Sequence, residues 1–149
     1  MNLIQVIRLI ESVASAQPSV RMIVENDIFR LNAKSDALYG VFSFVQGQHS
    51  SSVDSSFINY MFTLYYVDRL TANKDNQIEV QSVGIETLDN IIRILDEQGV
   101  MAEDGYTFQV FTQRFLDECA GVFCNVTLQV PVSTLCADEY EIKNDVIIY

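Results

Sequence analysis

The longest run of strand-like alternation in the sequence extends from Phe57 to Leu70. Large apolar residues occupy both sets of alternating positions, so both faces of this predicted strand are largely apolar. Fourteen extended residues span about 45 Å, which exceeds the usual strand of about 5–6 residues. We therefore expect part of this strand to project beyond the domain body, where a neighbouring subunit covers its apolar faces.

Two amphipathic helices flank the strand-rich region. Apolar residues at helical spacing predict the first over Asn2 to Ser15 and the second from about Ile78 to Gln98. Gly99 is placed to end the second helix, because glycine tolerates the positive φ of that position. Gly84 costs about 1 kcal/mol of helix stability relative to alanine. It marks either a late helix start or a tight packing contact.

Shorter alternating runs and one polar segment complete the chain. The segment from Gly47 to Ser56 is predicted to be a serine-rich loop. Pro131 closes the last long strand, because proline cannot donate to a strand ladder. The candidate strands are Val20–Val24, Ile28–Leu31, Leu38–Gln46, Tyr106–Gln113 and Val122–Val130.

This order of elements predicts the class of fold. Short polar turns between strands favour a mainly antiparallel sheet of four or more strands, with the two helices packed on it. The predicted order is α-β-β-β-α-β-β. The chain has 149 residues, of which 49% are hydrophobic, and shows no repeat or linker. We therefore predict a single α+β domain over residues 1–149.

The charge balance restricts the partners that the chain can bind. Twenty acidic and nine basic residues give a net charge of −11, and the basic residues are scattered along the sequence. Nucleic-acid binding is therefore disfavoured, since the phosphates would be repelled. No apolar run approaches the roughly 20 residues that cross a bilayer, so no membrane contact is expected. Arg8 and Glu11 interrupt the apolar N-terminal run, which also lacks a basic leader, so a signal peptide is not expected. The acidity serves solubility or provides a face for a basic partner.

The residues that could carry chemistry do not form a known constellation. His49 lies beside Ser50–Ser52 and Asp54, but catalytic triads draw their members from distant positions on a rigid scaffold. No GxGxxG, P-loop or HExxH pattern occurs. Neither an enzyme activity nor a cofactor or metal is predicted. Reduced, mostly buried thiols are expected at the three cysteines, which are Cys119, Cys124 and Cys136.

Two segments carry a family resemblance. The run YYVDRLTANKDNQIEVQSVGIETLDNIIRIL, from Tyr65 to Leu95, resembles small structural proteins of phages and prophages of the Bacteroidetes. The run FTQRFLDECAGVFCNVTLQVPV, from Phe111 to Val132, does so too. The order of helix, hairpin region, helix and final hairpin is similar to that of tail-completion (tail terminator) and head–tail connector proteins.

The resemblance implies a function in assembly. Proteins of that family form a ring, commonly sixfold, at the tail–head junction and contact other neck or tail-tube proteins. A virion location after synthesis in the bacterial cytoplasm is implied as well. An alternative hypothesis is a monomeric acidic adaptor or inhibitor that binds a basic surface.

Candidate self-assembly surfaces follow from the long strand, the serine-rich loop and the apolar C-terminus. A hydrophobic terminus would fray unless it pairs with a sheet edge, including an edge of another copy. The candidate residues are Gln48, His49, Phe57, Tyr60, Phe62, Tyr66, Val146, Ile147, Ile148 and Tyr149.

Overall fold

The computed structural model describes residues 1–26, 40–71, 73, 75–102, 105–112 and 119–132. These ranges contain two helices and six strands, and the predicted α+β class is confirmed. The predicted strand over 28–31 and the predicted edge pairing of 146–149 lie outside the described residues. The helices are α1 (Leu3–Ser15) and α2 (Gln77–Glu97). The strands are β1 (Met22–Val24), β2 (Val41–Gln46), β3 (Ser50–Ser51), β4 (Phe57–Arg69), β5 (Phe108–Thr112) and β6 (Cys119–Pro131).

The strands form one sheet in the order β1-β2-β4-β6-β5, and β3 also pairs with β4. All pairings are antiparallel except that of β1 with β2, which is parallel. The prediction that the long strand projects beyond the domain is wrong. Every residue of β4 pairs with β6, from Phe57 opposite Pro131 to Arg69 opposite Cys119. The strand is long because its partner is equally long, and β2 and β3 cover most of its other edge.

Both helices pack on one face of this sheet. The even-numbered side chains of β4 from Ile58 to Tyr66 point to that face and join or pack against the main hydrophobic core with residues of α1 and α2. Gly84 lies in the middle of α2, where an added Cβ would be 2.8 Å from Val122 Cγ2 and 3.0 Å from Tyr66 Cδ1. The tight packing contact, rather than a late helix start, therefore explains this glycine.

Local sequence signals fix the helix ends. The Asn2 side chain accepts a hydrogen bond from the Gln5 backbone, and the Gln5 side chain accepts one from the Asn2 backbone, which forms a capping box. At the end of α2, Gly99 has a φ of +76°. The Gly99 N–H donates to Asp96 O, and the Val100 N–H donates to Leu95 O. This pattern is a Schellman motif, as the position of the glycine predicts.

The opposite face of the sheet differs between its two ends. At the end near Arg69, a second apolar cluster contains buried side chains from four strands: Val24, Val41, Tyr65, Val67 and Cys119. At the end near Phe57, the side chains on this face are exposed or half-buried. Among the described residues of this face, the end near Phe57 is therefore the more accessible one.

Candidate interaction surfaces

The exposed end of the sheet carries uncharged side chains. They come from the alternate positions of β4 and β6 that point away from the helices. Phe57 is 40% exposed and Met61 is 41% exposed, which is unusual for side chains of this size at the centre of a sheet. We call this the open-face surface, and it consists of Phe57, Asn59, Met61, Thr63, Asn125, Thr127 and Gln129.

Cross-strand hydrogen bonds organise its polar side chains. The Thr63 hydroxyl donates to Asn125 Oδ1 at 2.7 Å, and Gln129 Nε2 donates to Asn59 Oδ1 at 3.2 Å. Because each hydrogen bond joins a side chain of β4 to one of β6, these polar side chains lie flat on the sheet. They flank the large apolar side chains of Phe57 and Met61. The result is a neutral surface on a protein whose net charge is −11.

A β-bulge lies at the border of this surface. Gln46 pairs with Phe62 and Ser50 pairs with Asn59. Three residues, 47–49, therefore oppose only Tyr60 and Met61, which is one residue more than a regular ladder holds. The predicted loop from Gly47 to Ser56 thus contains both the bulge and the short strand β3.

The His49 side chain completes the ladder across the bulge. Its Nδ1 accepts a hydrogen bond from the Met61 N–H at 3.1 Å, so Nε2 carries the proton and donates to Gln46 Oε1 at 2.9 Å. The ring also packs edge-on against Tyr60, with a centroid distance of 5.2 Å. These contacts give His49 a structural role that supports the backbone of Met61.

Three further exposed apolar side chains come from α2 and β5. Ile78 is 79% exposed, Ile85 is 37% exposed and Val110 is 52% exposed. Between the two isoleucines, Gln81 Nε2 donates to Phe111 O at 3.3 Å and holds this side of α2 against β5. We call Ile78, Ile85 and Val110 the edge surface. Val110 pairs with Val122, whose side chain faces α2, so the edge surface lies on the helix-covered side of the sheet.

A cleft of about 320 Å³ opens beside the C-terminal half of α2. Within it, the Tyr106 hydroxyl donates to Asp89 Oδ1 at 2.5 Å, and Arg93 Nε donates to Asp89 Oδ2 at 2.8 Å. The hydrogen bonds from Tyr106 and Arg93 lower the pKa of Asp89. Burial, together with the bond to Asp89, raises the pKa of Tyr106 to about 12. Both oxygens of the carboxylate are occupied, so this trio anchors the segment around Tyr106 to α2.

The structure separates the predicted assembly residues into three groups. Phe57 and Gln48 are exposed, and His49 is half-buried in the bulge. Val146, Ile147, Ile148 and Tyr149 lie outside the described residues. Tyr60, Phe62 and Tyr66 point to the helices and are only 9%, 0% and 2% exposed, so they belong to the core of the chain itself. Their place on the accessible surface is taken by odd-numbered neighbours such as Met61, which the sequence analysis did not select.

The described thiols are buried, as expected. Cys119 and Cys124 are both inaccessible, whereas Cys136 lies outside the described residues. Burial raises the pKa of the Cys124 thiol to about 11, which keeps it protonated near neutral pH. Among the residues with assigned positions, no three His, Cys, Asp or Glu side chains are grouped as metal ligands. Neither α1 nor α2 has the length and apolar character to span a membrane.

The sequence matches no protein-family model and has no significant match among curated proteins.

Proposed function

We propose that this protein is a non-enzymatic structural component of a phage neck or tail, which assembles with copies of itself into a ring at the tail–head junction. The observation that carries the proposal is the open-face surface. It places exposed Phe57 and Met61 in a neutral setting on a strongly acidic chain.

The charge distribution explains why such a surface favours self-association. Two copies that each carry a net charge of −11 repel each other wherever their acidic sides meet. The open-face surface carries no charged side chain, so covering Phe57 and Met61 desolvates no charge on this side of the contact. A large exposed apolar group with a polar surround is also typical of a protein interface.

The assignment to the phage neck or tail rests on the sequence resemblance of Tyr65–Leu95 and Phe111–Val132. The described fold agrees with the order of elements on which that resemblance is based. It places two helices on one face of a mainly antiparallel sheet.

Light scattering coupled to size-exclusion chromatography tests the proposal. The mass is expected to rise above the 16.9 kDa of one chain as concentration increases. It should rise further in high salt, because salt screens the repulsion between acidic copies. Purified tail-tube and connector proteins provide the second arm of the test. A mass of one chain at every concentration and salt, with no binding to either protein, would refute the proposal.

A specific observation keeps the adaptor hypothesis as a second candidate. The sequence of α2 contains five acidic residues and one arginine, Arg93, which is bonded to Asp89. The solvent-facing side of this helix is therefore strongly acidic and suits a basic protein surface. This function predicts a monomer that binds a basic partner more weakly as salt increases, which is the opposite salt dependence.

A further inference from the structure

Two separate apolar surfaces remain exposed on the described part of the chain, apart from single side chains near the N-terminus and the hairpin tip. One is the open-face surface and the other is the edge surface of Ile78, Ile85 and Val110. They lie on opposite sides of the sheet. Across the sheet, Val110 pairs with Val122, and Val122 pairs with Tyr66 of β4. Along β4, Tyr66 lies five residues from Met61, or about 17 Å.

We propose that these two surfaces are the complementary halves of one repeated contact, so that copies of this chain associate head to tail. This inference rests on the proposed assembly function and specifies its interface. The open-face surface of one copy covers the edge surface of the next. Because the two surfaces lie on opposite sides, each added copy leaves one of them free for a further copy.

Charge favours this pairing over contact between two edge surfaces. The helix that carries Ile78 and Ile85 also carries exposed Glu79 and Glu86. Two edge surfaces in contact would bring these carboxylates together, which is unfavourable in a partly desolvated interface. Against the neutral open-face surface, the carboxylates meet no like charge.

Burial of apolar area favours head-to-tail contact over contact between two open-face surfaces. A symmetric pair of that kind uses the same surface twice and leaves Ile78, Ile85 and Val110 in water on both copies. Head-to-tail contact covers both surfaces on every internal copy, and on every copy when the chain of subunits closes. The larger apolar area removed from water stabilises the closed assembly.

Matched glutamate substitutions test the inference. Met61→Glu blocks the open-face surface and Ile78→Glu blocks the edge surface. Ile4→Glu is the control, because Ile4 and Ile78 are both the second residue of their helices and are 63% and 79% exposed. All three variants add the same charge, and circular dichroism with thermal unfolding checks that each remains folded.

The masses are measured by analytical ultracentrifugation, for each variant alone and for an equal mixture of Met61→Glu and Ile78→Glu. Each blocked variant alone is expected to associate at least about tenfold more weakly than the unmodified chain, because burying an unpaired charge is costly. The Ile4→Glu control should assemble normally. The mixture should form complexes of two chains and no larger, since each variant supplies the surface that the other lacks.

The alternatives give different results. If Ile78→Glu assembles as the unmodified chain does while Met61→Glu does not, the contact joins two open-face surfaces, and the head-to-tail inference is wrong although self-assembly stands. The inference also fails if the mixture of blocked variants stays monomeric or if Ile4→Glu weakens assembly equally. An unmodified chain that never exceeds one subunit would instead remove the proposed self-assembly.

Discussion

Replacing Gly84 by alanine sets helix propensity against packing. Alanine in the interior of α2 should stabilise the helix by about 1 kcal/mol relative to glycine. The new Cβ, however, would lie 2.8 Å from Val122 Cγ2 and 3.0 Å from Tyr66 Cδ1. Ordinary carbon contacts are about 3.5–4.0 Å, so the helix and the sheet must separate locally by roughly 0.5–1 Å.

The neighbours of Gly84 have little room to yield. Val122 is 0% exposed and Tyr66 is 2% exposed, and the valine side chain is restricted at χ1. Overpacking of this kind costs about 1–3 kcal/mol. We therefore expect Gly84→Ala to lower the free energy of unfolding by about 1 kcal/mol, once the gain in propensity is subtracted.

Chemical denaturation with a double-mutant cycle measures the effect. Ser82→Ala, at an exposed position of the same helix, reports the gain in propensity without a clash and should stabilise by a few tenths of a kcal/mol. Val122→Ala alone should cost about 2 kcal/mol as a cavity forms. In the double variant, the Cβ of residue 84 enters that cavity. The double variant should therefore lose about 1–2 kcal/mol less stability than the sum of the losses of the two single variants. A stabilising Gly84→Ala, or additive costs in the cycle, would refute the packing argument.

Three further substitutions test contacts described above. Tyr106→Phe removes the hydrogen bond that contributes most to the low pKa of Asp89, so that pKa should rise toward its ordinary value in an NMR titration of the carboxyl group; an unchanged pKa would contradict the assigned hydrogen bond. His49→Ala removes the acceptor of the Met61 N–H, so hydrogen exchange of that amide should accelerate by tenfold or more while the amides of α2 are unaffected. Asn2→Ala breaks the capping box and should cost about 1 kcal/mol in denaturant unfolding, with the loss confined to α1 in exchange experiments.

Much of the fold follows from local sequence signals. The apolar spacing located both helices to within one residue at each end, and Gly99 marked the end of α2. The alternation located the strand from Val122 to Val130, and Pro131 marked its end. These features depend on short-range geometry that a single sequence contains.

Pairing and the choice of face could not be predicted in the same way. The predicted last strand starts at Val122, whereas β6 starts at Cys119; alanine and glycine at 120 and 121 are poor strand formers. The length of β4 alone predicted that part of it projects, because the sequence does not show that its partner is equally long. Both faces of β4 are apolar, so alternation could not decide whether Met61 or Tyr60 is accessible. The helices cover the face that carries Tyr60, which leaves Met61 accessible.

The bulge is a further reason why alternation was insufficient. Its extra residue reverses the odd–even pattern between β2 and β3. In an uninterrupted strand His49 would point to the open face, but it packs against Tyr60 and Phe62 on the helix-covered face. Gly47 marks an interruption of the strand, but a glycine alone does not specify that one residue is added and the alternation reversed.

The central position of β4 also bears on aggregation. Residues 57–67 carry no charge, no proline and no glycine, and they are rich in aromatic and β-branched side chains. Such a segment is prone to form cross-β fibrils when it is exposed. Here β6 pairs with all of it, and β2 and β3 protect most of its other edge. Opening of the hairpin at His49 would uncover that edge, so variants that loosen the bulge should increase fibril formation even where the helices remain folded.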